Sequence, residues 1–290
     1  MERIKEILDR HQIPSIVDIH VHFMPESVLA KVRKYFDEAG PLLGRSWPIM
    51  YRGDDQMRIK QLKDFGVSRF SALNYAHKAG MASWLNEWSR DFAKVDSAII
   101  PSATIYPDED VFEYTKVAIE SGTEVFKVHI QVGDFSPVDP RLKQSWHLLE
   151  DAQIPIVIHA GSGPAPGRFT GAELVRQLLS MYPHLKLIIA HMGMPEYREF
   201  IELAESYPNV YLDTTMVLTP FTEETTPLGR ANIEKIATMS EKILFGSDFP
   251  NIPHDYAVAI ESLESAGFSS EWLRNVLYET PTRLLSERQR

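Results

Sequence analysis

Apolar residues in this chain fall into short, nearly continuous runs, separated by longer stretches in which they recur at helical spacing. The runs are Ser15–Phe23, Arg69–Asn74, Ala98–Tyr106, Val125–Val132, Pro155–Ala160, Leu185–Met192, Val210–Val217 and Ile243–Asp248. They are rich in β-branched and aliphatic residues, as parallel strands covered on both faces should be. Helical patterns lie between them, at Trp84–Lys94, Asp110–Ser121, Asp139–Gln153, Thr170–Met181, Pro195–Tyr207 and Ala231–Ser240. Parallel strands need such crossovers. A short amphipathic helix over residues 2–11 precedes the first strand. The connection after it, from Met24 to about Gly66, carries two more predicted helices. One is Pro25–Ala39, with Pro25 near its start and Gly40 just past its end; the other is Asp54–Phe65, ending at Gly66. Helices at about His254–Ala266 and at Glu271–Arg290 close the chain. Eight strand–helix units with no linker predict an α/β protein. The expected fold is a single (β/α)8 TIM barrel over residues 1–290, with a helical insertion after the first strand. A doubly wound open sheet is the alternative, but no Gly-rich phosphate loop follows the first strand.

Composition narrows the partners. Hydrophobic residues make up 44% of the 290 and charged residues 24%, enough for a large core. A formal net charge of −10 argues against a nucleic-acid partner. It leaves a small-molecule substrate open, because such a ligand answers to the local field. With no cysteine, disulfides, thiolate metal sites and a Cys nucleophile are excluded together. No run reaches the roughly 18 apolar residues of a membrane span, and the charged start Met1-Glu2-Arg3-Ile4-Lys5-Glu6 lacks a signal-peptide core. A cytoplasmic protein with no membrane partner is expected. A homodimer is open.

The candidate chemistry sits at the ends of the predicted strands, where a barrel gathers its active groups. His20 and His22 are two apart on the first strand and share a face. Strand five ends in His159, strand six in His191 and strand eight in Asp248. The barrel reading sends all five toward one mouth. Imidazoles and a carboxylate suit a borderline divalent metal, Zn2+ first, with Mn2+, Fe2+ or Co2+ possible. On strand four, Lys127, His129 and Gln131 share a face that points into the barrel. Weaker candidates surround the mouth. Arg168 could clamp a substrate carboxylate. Asn74 and His77 could contact substrate, and Asp213 reads as a structural acid behind the site. His254 is either behind the site or on the surface. Trp47, Met50 and Tyr51 could form an apolar lid. His11, His147 and His184 are read as surface residues.

Four phrases, Asp18-Ile19-His20-Val21-His22, Ile158-His159-Ala160-Gly161, Ala190-His191-Met192-Gly193 and Phe245-Gly246-Ser247-Asp248-Phe249-Pro250, together resemble the amidohydrolase superfamily. The likeness is to its amidohydrolase 2 branch, which includes aminocarboxymuconate-semialdehyde decarboxylase-like proteins, and runs from about Val17 to the end. The tail Asn275–Leu285 also looks like that branch, although Thr280 stands where the family usually has Asn. The resemblance implies that His20, His22, His159 and Asp248 bind one catalytic metal. It implies that His191 orients or deprotonates a water or polarises the substrate, and that Asp248 is the general base. In binuclear relatives a strand-four lysine is carboxylated and bridges two metals, a role open to Lys127, with His191 then a ligand of the second metal. Members of the branch usually manage with one metal, so one is expected. The activity implied is hydrolysis of a small-molecule amide, lactone or ester. The alternative is non-oxidative decarboxylation of a small unsaturated or aromatic acid. A third reading, from another class, is a non-catalytic barrel that keeps a metal site.

Overall fold

The predicted alternation is realised as a closed parallel barrel, seen in a computed structural model that describes residues 2–286. Its strands are β1 (Ile16–Asp18), β2 (Val67–Ser71), β3 in two pieces (Ile99–Ile100 and Ser102–Thr104), β4 (Val125–His129), β5 (Ile156–His159), β6 (Leu187–Ile189), β7 (Val210–Asp213) and β8 (Ile243–Leu244). Each pairs in parallel with its sequence neighbours. Pro101 divides β3 because it has no N–H for the ladder. Its carbonyl still accepts from Glu124 N at 2.8 Å. Ser102 Oγ spans the break, taking Ala72 N at 3.1 Å and donating to Ile100 O at 2.8 Å. The ends of β1 and β8 close the ring. Ile19 N donates to Phe245 O at 3.0 Å, Asp248 N to His20 O at 2.8 Å and His22 N to Phe249 O at 2.8 Å.

Alternation along the strands separates two buried layers. Ile16, Phe126, Val128, Ile156, Ile158, Leu187, Ile189 and Leu212 pack with the surrounding helices. Val17, Ile19, Ile100, Val125, Val157, Ile188 and Leu244 form a second cluster, joined by Leu284 and Leu285 of the last helix. This inner cluster turns polar toward the C-terminal strand ends: Val125 is followed on its face by Lys127 and His129, Val157 by His159, and Tyr211 by Asp213. Burying each aliphatic side chain contributes roughly 1.5–3 kcal/mol, so the apolar floor can support a polar mouth.

The structure departs from the sequence expectations where runs meet loops. The strands are shorter than their apolar runs, because the runs continue into buried loops at the mouth. Gln131 therefore lies in a helical turn, Ile130–Gly133, rather than on β4. The insertion helix spans Glu26–Asp37, and Gly40 does not end it; Gly40 sits inside a second short helix, Ala39–Leu43. Pro41 falls in that helix's first turn, where no N–H is needed. The stop is Gly44, at φ 70°. The final predicted helix is broken into Ser270–Arg274, a π turn Asn275–Glu279 and Thr280–Ser286. Its last residues, 287–290, lie outside the described residues.

Candidate metal centre

His20 and His22 follow β1 directly, with ring centroids 5.1 Å apart. Asp248 comes to them through the β1–β8 seam, its backbone N bound to His20 O and its φ at 69°. A left-handed aspartate is uncommon, and such strain gathers at functional sites. Asp248 Oδ1 lies 3.0 Å from His22 Nε2 and 3.8 Å from His20 Nε2. The ligand atoms of these three residues all lie within 4.8 Å of one another.

The far side of each ring fixes its tautomer. His20 Nδ1 is 2.8 Å from Asp213 Oδ2, and His22 Nδ1 is 3.0 Å from Leu73 O. Both partners are acceptors, so the proton sits on Nδ1 and the Nε2 lone pair faces the cluster. Two anchored imidazoles and a carboxylate aimed at one point fit a divalent cation. Lys127 Nζ lies 2.9 Å from His20 Nε2 and so reaches the lone pair that such a cation would take.

Charge follows from burial and neighbours. Burial, and then the Lys127 charge, bring His20 down to about 3. Burial brings Lys127 down to about 8, against the pull of Asp213 and Asp248. Burial would raise Asp248, but the imidazoles gathered around it, His22 first, hold it well below the usual carboxylate range. The same contest, decided chiefly by His20, leaves Asp213 at about 2. Asp213 is thus the structural acid expected: besides His20 it accepts His191 N at 2.8 Å and Thr215 N at 3.1 Å.

His159 and His191 line the same cavity, their rings 4.8 Å apart, and His191 is 5.2 Å from His20. Neither belongs to the tight group of three. His159 Nε2 is bound to Gly163 O at 2.9 Å, and His191 Nδ1 lies 3.2 Å from Thr215 O. His191 holds φ 55° in a left-handed turn that runs on through Met192 to Gly193. There a Cβ on Gly193 would sit 1.9 Å from Phe200 Cδ2.

Other expected site residues are dispersed. Arg168 is exposed, its guanidinium 4.9 Å from the Phe169 ring centre, and does not line the cavity. Loop side chains have no fixed periodicity to aim them inward. Asn74 is buried beside the cavity rather than in its wall, donating to Ser89 Oγ with its Oδ1 unpartnered. His77 and Trp47 line the cavity, but Met50 is exposed and Tyr51 is in the core, where its hydroxyl accepts Tyr256 N at 2.8 Å. Of the three residues expected to form a lid, Trp47 alone lines the cavity. His254 does not line the cavity.

The cavity above the cluster measures about 850 Å³. Its outer wall was missed in the sequence, though a signal existed: Val28, Lys31, Val32, Tyr35 and Phe36 are spaced as one helical face, and all five line it. Phe36, Trp47 and Phe221 form an aromatic row, with centroids 5.1 and 4.8 Å apart. Arg45 stacks 3.5 Å over Phe221 and pairs with Glu224 at 2.7 Å.

A family model described as amidohydrolase, of the amidohydrolase 2 type, matches residues 17–286. No curated protein matched the chain. Among solved structures, an uncharacterised TIM-barrel protein from Bordetella bronchiseptica is similar at 18% identity and TM-score 0.77, over 95% of this chain and 100% of that one. A 5-carboxyvanillate decarboxylase from Sphingomonas paucimobilis is similar at 12% identity and TM-score 0.65, over 94% and 99%. A dihydroorotase from Campylobacter jejuni is similar at 16% identity and TM-score 0.53, over 94% and 83%. At these identities the likeness is one of fold.

Proposed function

The chain belongs to the amidohydrolase 2 family, whose metal-dependent members include hydrolases and decarboxylases, and on that premise we propose that it hydrolyses an amide, lactone or ester bond in a small molecule. The observation that carries this reading is the convergence of His20 Nε2, His22 Nε2 and Asp248 Oδ1, with both rings anchored through Nδ1. A divalent ion bound there, Zn2+ first and Mn2+ as the alternative, would supply Lewis acidity to a substrate oxygen and acidify a water. His20, His22 and Asp248 would hold it, and the bare Nδ1 of His159 would offer a further ligand from the cavity wall. Asp248 stays ionised, so its carboxylate takes the proton of the attacking water and delivers it to the leaving group. His191, held by Thr215 O on its Nδ1, keeps a bare Nε2 that can accept a proton from the water. The apolar wall limits bulk water around the reacting bond.

Hydrolysis is favoured over decarboxylation because Arg168, the arginine expected to clamp a carboxylate, lies outside the cavity, and Arg45 on the wall is already paired with Glu224. Decarboxylation of an unsaturated or aromatic acid is the second reading, supported by Lys31 and Arg45 on the cavity wall. The test is a panel of lactones, amides, esters and small aromatic acids offered to zinc-loaded protein, scoring acid release against CO2 release. Hydrolysis should appear with lactones, amides or esters; CO2 release alone would overturn it in favour of the second reading. Asp248→Asn should keep the fold and lose turnover by roughly 100-fold to 10,000-fold. A variant turning over at the parent rate removes Asp248 from the mechanism.

A further inference from the structure

Five imidazoles line the cavity floor, and their partners divide them. His20, His22 and His191 give Nδ1–H to Asp213 Oδ2, Leu73 O and Thr215 O. His159 gives Nε2–H to Gly163 O. Each is left with one bare nitrogen, an acceptor or metal ligand. His129 is inverted. It caps the turn Ile130–Gly133, and its Nδ1 accepts Val132 N at 3.3 Å. An accepting Nδ1 places the ring proton on Nε2. Among the described residues no protein acceptor meets that Nε2–H, and the ring is partly exposed where it lines the cavity.

The ring is also fixed in place. It stacks on His159 at 4.0 Å with 11° between planes, and Tyr75 packs against it at 4.8 Å. Bare imidazole nitrogens repel a carbonyl or carboxylate oxygen unless a cation lies between them. Lys127, the other donor on this face, is turned to His20 Nε2. A substrate oxygen that reaches the floor away from the metal position meets His129 as a rigid neutral donor.

We propose that His129 is a substrate-binding donor whose Nε2–H holds a carbonyl or carboxylate oxygen of the substrate. This adds to the proposed reaction a contact that fixes substrate orientation. It rests on that reading for the reaction, but not for the contact itself.

Benzoate is the probe, titrated calorimetrically into the full chain both with and without zinc. His129→Asn keeps a side-chain acceptor for Val132 N and leaves no N–H at the Nε2 position. His129→Phe keeps a ring for the stack and withdraws the donor. His129→Gln returns an N–H near the Nε2 position. Loss of a hydrogen bond to a charged acceptor should weaken benzoate roughly 10-fold to 100-fold in the Asn and Phe variants, with Gln recovering much of it. Zinc content should be unchanged in all three. Equal benzoate affinity in His129→Asn and the parent overturns the proposal, as does a parent that takes no benzoate. Loss of zinc from the variants assigns His129 to the metal instead and also overturns it. Failure of the parent to bind zinc would defeat the metal reading, while the metal-free titrations still decide the role of His129.

Discussion

At the scale of single residues, His20 stands between two groups with opposite demands. Asp213 Oδ2 holds its Nδ1 at 2.8 Å, and Lys127 Nζ reaches its Nε2 at 2.9 Å. A cation and the Lys127 ammonium compete for that second lone pair and repel each other. Burial brings Lys127 to about 8, so the ammonium is present below that pH and fades above it. Metal affinity should therefore fall as pH drops through 8. Lys127→Met should tighten zinc binding about tenfold or more at pH 7 and flatten its pH dependence, by removal of a buried like charge. Zinc titration with a competing chelator measures both. If Lys127 serves as a carboxylated bridging ligand, the variant binds less metal, the opposite sign. The strand-end residues His20, His22, His159, His191 and Asp248 were legible in the sequence because alternation and barrel topology aim strand ends. Arg168 was not, because nothing in a loop's sequence fixes side-chain direction. The donor role of His129 was not legible either, since its proton position depends on a backbone N–H that only the turn after β4 supplies.

At the scale of elements, the seam between β8 and β1 does the positioning. Gly246 lies where a Cβ would meet Thr215 Oγ1 at 2.2 Å and His20 Cβ at 2.7 Å. His20 Cβ is close to the backbone and cannot swing aside as the end of a flexible chain would. Gly246→Ala should therefore spread the seam, costing about 1–3 kcal/mol and weakening zinc binding with it. Denaturant unfolding and zinc titration on the same variant check the pairing of the two effects. Lost stability with unchanged zinc affinity would separate the seam from the site. The strands themselves were readable as apolar runs, but their ends were not, because buried loops at the mouth are as apolar as the strands they continue. The insertion was readable as helical, yet its stop moved from Gly40 to Gly44, since Pro41 can open a new turn as readily as end an old one.

For the whole molecule, the burial of so many imidazoles sets a response to acid. Burial is the leading cause that lowers His20 to about 3, His129 and His159 well below 6.5, and His191 below 6.5. As pH falls below 6.5 the unfolded chain takes up protons that the native one refuses, so stability falls. Asp213 and Asp248, held low, add further loss below 3.8. Asp18 acts the other way: burial raises it to about 7, so the native state holds a proton that the unfolded chain releases above 3.8. One carboxyl blunts four imidazoles without reversing them. Metal-free protein should lose urea resistance steadily from about pH 7.5 to about pH 5, and a gain in that range would contradict the neutral buried rings. The seam, finally, sets an order of events during synthesis. His20 and His22 leave the ribosome early, while Asp213 and Asp248 leave late. Until β7 and β8 have docked, the two histidines lack both their carboxylate partner and the group that holds His20 in its tautomer. A growing chain thus offers a passing ion a loose two-histidine chelate, and only the finished barrel offers a site. An ion bound there would be a latch on a completed fold, not a seed for building it.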